Sequence, residues 1–313
     1  MKNNGSRLRV LTAVVTCIAV LSLFATQAFT VQAKAPIKIA ARDFTEELIA
    51  GSLYSELLTA HGIPNTLDTS FSLESTIFSA LTSGSEDLVP DYLGNGLVDL
   101  NKAYTAGTSV AKVYNYVNKQ FAKKGWHVKL LSPAYKFNDQ NVFVTTKKLS
   151  TKWGLTTLSD LAKDSKKISL EIMQECATRS DCLPTFNKVY KPGKWKKIAD
   201  PVNGTTPNNP PFYGDLLSGK FDVVQGYGTT DAQISHFHLV ALTDDKHMFP
   251  PDQMTPFIGS AVAKANPAIA TWLKKLDADL TNANFSHMNA EVAFGKQLPA
   301  KVAHAFLKAH MLL

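Results

Sequence analysis

The stretch Ile37-Lys38-Ile39-Ala40-Ala41-Arg42-Asp43-Phe44-Thr45-Glu46-Glu47 decides the fold of this 313-residue chain. Its first four residues read as a strand, and Asp43 followed by Glu46 has the spacing of a capping box that opens a helix. Leu48, Leu53, Leu57 and Leu58 then recur at helical spacing as far as Gly62. Thr66 to Phe71 can form a second strand. Leu73, Ile77 and Leu81 mark a helix ending at Gly84, and Leu88-Val89-Pro90 is a third strand. This βαβαβ opening implies a parallel sheet with helices on both faces.

The pattern then repeats more loosely. Val142 to Thr146, Ile168 to Ile172, Phe221 to Val224 and His238 to Leu242 read as strands. Leu158 to Ala162, Pro184 to Tyr190 and Phe212 to Ser218 read as helices, with a long loop from Lys191 to Pro211. Three helices close the chain, over Pro267 to Leu280, His287 to Phe294 and Pro299 to His310. A helical tail after two α/β blocks fits a chain that builds one lobe, crosses to a second and returns. The expected division is 34–140 plus 245–313 for lobe 1 and 141–244 for lobe 2.

Working outward to the N-terminus, Lys2, Arg7 and Arg9 precede an uncharged apolar run from Val10 to Phe24. That run is short for a membrane span of roughly 20 residues. Val31-Gln32-Ala33 fits a small-x-Ala cleavage site, with Ala28 as a second. Residues 1–33 therefore read as a cleaved signal peptide, and the mature protein is expected in the periplasm. Cys17 follows Thr16, which does not suit a lipoprotein signal. Removal of the signal leaves 30 basic against 26 acidic residues, a small excess spread along the chain. The one dense basic patch, Lys194 with Lys196 and Lys197, carries the single ring Trp195, so a nucleic-acid partner is not expected. Cys176 and Cys182 can close a small disulfide loop worth about 2 kcal/mol, or stand as two free thiols.

No catalytic constellation is legible: there is no G-x-S-x-G elbow, Walker A loop or H-E-x-x-H. His236 and His238 would share one face of a strand, and a polar strand edge accounts for them better than a metal pair. No metal or cofactor is expected. Tyrosines, by contrast, sit beside turn residues at strand ends: Tyr92 before Leu93-Gly94, Tyr213 before Gly214, and Tyr227 between Gly226 and Gly228. Ligands of doubly wound sheets bind outside the carboxyl ends of strands. Electron-rich rings suit a cation that cannot be deprotonated, at about 0.5–2 kcal/mol each. The same tyrosines could instead simply pack under loops.

Several segments together resemble the glycine betaine/carnitine/choline-binding proteins of osmoprotectant ABC importers. They are the opening Ile37–Glu47, Asp87-Leu88-Val89-Pro90-Asp91-Tyr92-Leu93-Gly94-Asn95-Gly96, Phe137-Asn138-Asp139, Arg179-Ser180-Asp181-Cys182-Leu183-Pro184 and Asp244-Asp245-Lys246-His247-Met248-Phe249-Pro250-Pro251. They occur in the family's order across nearly the whole mature chain. The resemblance implies an α/β, two-lobed periplasmic binding protein fold of type II, each lobe a mainly parallel sheet flanked by helices, with the ligand cleft between lobes. It implies a non-catalytic receptor for a quaternary-ammonium osmolyte, with an ABC permease and ATPase at the inner membrane as partners. Carried over, the cage rings are Tyr92, Tyr213 and Tyr227. Arg42 and Arg179 stand where the family places basic groups, and a forked guanidinium suits a ligand carboxylate. Asp139 lies in the family's Phe-Asn motif.

Some positions depart from the pattern. Asn141 stands where the family commonly has a fourth ring, and Asn95 where it has Thr. Cys182 replaces a Gly, with Cys176 as its compensating partner. Glu47 replaces a Gln; pointing inward it would favour choline-like cations, and otherwise it is a first-turn carboxylate facing the helix dipole. Two other readings remain at this stage. The same fold could bind a different polar or zwitterionic ligand through Asn141 and Asn95, or a related two-lobed fold could carry an enzyme.

Overall fold

The computed structural model describes residues 35–199, 211–226, 228 and 230–313. The expected signal peptide and the expected cage ring Tyr227 lie outside the described residues. In chain order the strands are β1 (Ile37–Arg42), β2 (Asn65–Phe71), β3 (Leu88–Tyr92), β4 (Val128–Leu130), β5 (Val142–Thr145), β6 (Ser169–Glu171), β7 (Lys197–Ala199), β8 (Val223–Gly226), β9 (Val240–Ala241) and β10 (Met254–Gly259). They divide between two five-stranded sheets, ordered β2-β1-β3-β10-β4 and β7-β6-β8-β5-β9. The chain thus builds most of the first sheet, crosses to the second between Leu130 and Val142, and returns between Ala241 and Met254.

The expectation of mainly parallel sheets needs correction. In the first sheet β1 pairs parallel with β2 and β3, but β10 runs antiparallel to both β3 and β4. In the second, β6 pairs parallel with β7 and β8, but β5 runs antiparallel to β8 and β9. The physical reason is connectivity. Parallel neighbours need a crossover such as the helices Thr45–Ala60 and Glu74–Ser83. Strands β5 and β10 each arrive from the other sheet, so no such crossover dictates their direction. The stretch expected as a long loop from Lys191 also contains β7, an edge strand beside β6.

Alternation along the central strands separates two apolar layers. Ile39, Leu88 and Ile258 join Ile49, Leu53, Leu57, Leu273 and Phe285 in one, while Ala40, Val89 and Phe257 join Ile77, Val117 and Phe121 in the other. The first sheet is therefore covered on both faces. The helix Thr45–Ala60 buries Ile49, Leu53 and Leu57 at four-residue intervals, one stripe of its surface. Under the second sheet, Phe143, Leu161, Leu170, Phe186 and Phe221 form a separate core that extends to Met248 and Phe249.

Two local features shape the ends of β1 and β3. Their recorded pairing runs through Ile39 and Leu88. Two residues on, Pro90 has no amide hydrogen to offer β1. Beyond it stand Asp91 and Tyr92, opposite the end of β1 at Arg42.

Candidate functional site

Arg42, at the carboxyl end of β1, is buried among acids. Its backbone N–H and its Nε donate to Glu47 at 2.6 and 2.7 Å, and its Nη2 also pairs with Glu47 Oε1. Its Nη1 lies 3.1 Å from Glu74 Oε2 and its Nη2 3.8 Å from Asp91 Oδ1. Burial opposes the guanidinium charge, but Glu47, Glu74 and Asp91 outweigh it and hold the arginine charged. Burial pushes Glu47 up to about 7 against the pull of Arg42. The Glu47 carboxylate therefore answers Arg42 rather than solvent or a helix dipole. The Arg42 guanidinium lies 5.8 Å from the Tyr92 ring centre and 5.1 Å from that of Phe44.

Glu46 is not the capping residue that its spacing from Asp43 suggests. The helix begins after Phe44, which makes no side-chain cap. Asp43 instead accepts from Ser72 Oγ at 2.8 Å. Glu46 turns inward: its Oε1 accepts from the Tyr92 hydroxyl at 2.6 Å and its Oε2 from Asn289 Nδ2 at 3.0 Å. Its Oε2 also contacts the hydroxyl of Thr230, a residue that follows β8 of the second sheet. Burial, with Asp139 close by, pushes Glu46 up to about 8.

Asp139 lies on the chain's outward crossing and Asp252 on its return. The two crossings are stitched together: Asp139 N–H donates to the Asp252 carbonyl at 3.0 Å, and Asp252 N–H donates to Asn138 Oδ1 at 2.8 Å. Asp139 Oδ1 accepts from the Thr230 N–H at 2.9 Å and lies 2.8 Å from its hydroxyl. Burial and then Asp231 push Asp139 up to about 7. The Asp139 carboxylate presses on Gly228, where a Cβ would come within 1.9 Å of it, so only glycine fits there. Asp252 Oδ1 accepts from Gly94 N–H at 2.8 Å, just after Tyr92, and burial pushes this acid up to about 7 as well.

The tyrosines Tyr92 and Tyr213 start from different cores and direct their hydroxyls to acids of one neighbourhood. Tyr92 belongs to the core of the first sheet, with the Phe137 ring centre 6.4 Å away. Tyr213 belongs to the core of the second, and its hydroxyl donates to Asp231 Oδ2 at 2.7 Å. Thr230, Glu46, Asp139 and Asp231 lie between them, and Tyr213 feels the charge of Asp139. Arg179 grips Asp181 with both arms of its fork, at 3.0 and 2.6 Å, and reaches Asn95 Oδ1 at 3.2 Å. Asn141 accepts from Gln225 Nε2 at 3.2 Å, within the second sheet. Both arginines are thus engaged by protein acids. A cavity of about 240 Å³, lined by Leu97, Lys102, Tyr104, Lys112, Val113 and Tyr116 among others, shares no residue with this network.

Glu46, Thr230, Asn289 and Glu74 were not singled out for the site by the sequence reading. Glu46 lay inside a quoted motif; Thr230 and Asn289 carry no local signal. The stacking of His236 on Phe294, ring centres 3.8 Å apart, also joins the two halves. His236 ends a helix, Ala232–His236, so the shared strand face expected with His238 is not formed. Cys176 and Cys182 are joined as a disulfide.

What the arrangement offers is an acidic, largely dry junction between two sheets, edged by phenol rings, with its arginines already neutralised. Such a place favours a ligand that brings positive charge and few hydrogen-bond donors.

Known proteins are similar to this chain over most of its length. A family model described as the substrate binding domain of the ABC-type glycine betaine transport system matches residues 35–309. Glycine betaine-binding protein YehZ of Escherichia coli is 28% identical, over 92% of this chain and 95% of that protein. Carnitine transport binding protein OpuCC of Listeria monocytogenes is 27% identical, over 88% of this chain and 87% of its own. A crystal structure of a glycine betaine/carnitine/choline ABC transporter component superposes with a TM-score of 0.71 at 27% identity, covering 88% of this chain and 99% of that one.

Proposed function

The chain belongs to the family of substrate-binding domains of ABC-type glycine betaine transport systems, and from that premise we propose that it captures a quaternary-ammonium osmolyte at the junction of its two sheets. It is the substrate-binding component of an importer whose other parts are an ABC permease and its ATPase. The observation that carries the ligand assignment is the convergence of Tyr92, Glu46, Asp139 and Thr230 from separate parts of the chain. The ring supplies an electron-rich face and the acids supply negative potential, the two properties that hold a trimethylammonium group. Tyr213 and Tyr227 complete the proposed cage. Arg42, Arg179 and Asn141 act one step back, fixing Glu47, Asp181 and Gln225 around it.

The proposed lobes are 34–140 with 245–313, and 141–244; the apolar core of the second sheet favours extending lobe 2 through Phe249. The contacts of Thr230 with Glu46, of Arg179 with Asn95 and of His236 with Phe294 join the lobes and are among those that opening would break. The permease then reads the closed state, whose population the ligand raises. In this proposal the protein acts by binding alone, in the periplasm, after cleavage of residues 1–33. Among the described residues no helix is long and apolar enough to cross a membrane.

Titration calorimetry with choline, glycine betaine and carnitine tests the assignment. At least one should bind at micromolar concentration, and Tyr92→Ala should weaken it by about 5- to 30-fold, the equivalent of one lost ring contact. A protein that ignores all three at millimolar concentration would sink the ligand assignment.

A further inference from the structure

Thr230 poses a proton-counting problem. Its hydroxyl stands within hydrogen-bond distance of two carboxyl oxygens at once, Glu46 Oε2 and Asp139 Oδ1. A hydroxyl has one hydrogen and can donate it to only one of them. The second contact is attractive only if that carboxyl carries a proton and donates it to Thr230. Proton donors fill the other nearby positions too: Tyr92 O–H on Glu46 Oε1, Asn289 Nδ2–H on Glu46 Oε2, and Thr230 N–H on Asp139 Oδ1.

Among the described residues, those that face the pair include no cation to relieve it in the proton's place. Glu46 faces Tyr92 of β3, Asn289 of the helix Asn282–Ala293, Thr230 after β8, and Asp139. Asp139 faces Thr230, Gly228, Asp231 and Asp252. Arg42 is engaged by Glu47 and Glu74, and Arg179 by Asp181. The elements packed around the pair therefore present hydroxyls, amides and further acids.

Resting on the function proposed above, we infer that Glu46 and Asp139 hold one proton between them through Thr230, and that a quaternary ammonium ion entering the junction releases that proton to solvent. The receptor then exchanges a proton for a cation. Cations such as choline gain from this exchange. A zwitterion returns a carboxylate to the same acidic neighbourhood and gains less, so the pair also sets ligand preference. The direction of the pH effect follows. A cation binds the deprotonated pair, so affinity rises as the pH climbs toward about 8, the value to which Glu46 is pushed, and levels off above it.

The experiment is titration of the purified protein with choline chloride at about pH 6.5 in two buffers of different ionisation enthalpy, repeated across roughly pH 6 to 9. About one proton should leave per choline bound, and affinity should rise roughly tenfold per pH unit below the plateau. Glycine betaine should release a smaller fraction. Glu46→Gln and Asp139→Asn, each checked for folding by circular dichroism, should weaken choline binding at about pH 8 and, in the binding that remains, abolish the proton release and flatten the pH profile. If neither variant folds, the wild-type proton count decides by itself. Choline binding with no proton released and no pH dependence would overturn the exchange and leave the importer assignment standing. Failure of choline, glycine betaine and carnitine alike to bind would overturn that assignment, and the exchange with it.

Discussion

In the first sheet β1, β2 and β10 run six, seven and six residues, whereas β5 and β8 in the second reach four and β9 only two. The arrangement of parallel and antiparallel pairings is the same in both. The first has apolar layers on both faces and carries buried ionic residues at its strand ends. The second relies on side chains to make up for short ladders: a disulfide at Cys176–Cys182 and stacked rings from Phe186 and Tyr190. Long strands with dense packing can hold an arginine among three acids in place. A small sheet with less ladder needs covalent and aromatic fastening to present Thr230 at the right spot. The difference separates a rigid charged floor from a stapled counterpart that brings Thr230 and Arg179 to it.

Breaking the floor should have the largest effect. Arg42→Met leaves Glu47, Glu74 and Asp91 buried without their counter-charge. Removing one partner of a buried ion pair costs about 3–5 kcal/mol. Urea unfolding at neutral pH should show that loss, and acid should partly restore it by protonating the orphaned carboxyls. A loss below about 1 kcal/mol, as for a surface pair, would mean that the cluster is not the dry network described.

Breaking the staple should have a smaller and more local effect. Cys176→Ser with Cys182→Ser releases a short loop, for which chain entropy gives about 2 kcal/mol. Amide exchange should then quicken in the second sheet and its helices while the core strands of the first stay protected. Uniform quickening would show that the two halves unfold as one unit.

The same contrast explains how much of this was legible in the amino-acid sequence. The opening strands and helices were legible because each pattern is local: alternation in Ile37–Ala40, helical spacing from Leu48 to Leu58, and a glycine stop at Gly84. The strand β10 was not, because Met254–Gly259 contains Pro256 and is a strand only through pairing with β3 and β4 far back in the chain. The edge strand β7 hid in a lysine-rich stretch, since an edge needs no apolar alternation. Tyr92 and Asp139 were placed through family motifs. Glu46 was misread because a capping box and a buried acid with distant partners share one local spacing; contacts from Asn289 and Thr230, both over 180 residues away, decide between them. Glu47 was ambiguous for the same reason until Arg42 was seen to fold back on it.

The finest comparison is between two hydroxyls, one from each half. Tyr92 donates to Glu46 and Tyr213 donates to Asp231. Tyr92→Phe keeps the ring and deletes one donor, so its cost depends on the charge of the acceptor. A hydrogen bond to a neutral group is worth about 1 kcal/mol and one to a charged group about 1.5–3. Glu46, pushed up to about 8, is mostly protonated at pH 6 and mostly ionised at pH 9. Its raised value also means that the contribution of Glu46 itself to stability is fully present below the ordinary carboxylate range and is lost as the pH rises through about 8. The destabilisation by Tyr92→Phe should therefore grow with pH, from about 1 kcal/mol at the acid end toward twice that at the alkaline end. Denaturant unfolding of both variants across this range measures it, with Tyr213→Phe as the matched reference from the second half. A cost for Tyr92→Phe that stays constant with pH would mean that Glu46 does not change charge in this interval, with a constant value near 1 kcal/mol marking a neutral acid and one of about 1.5–3 a charged one.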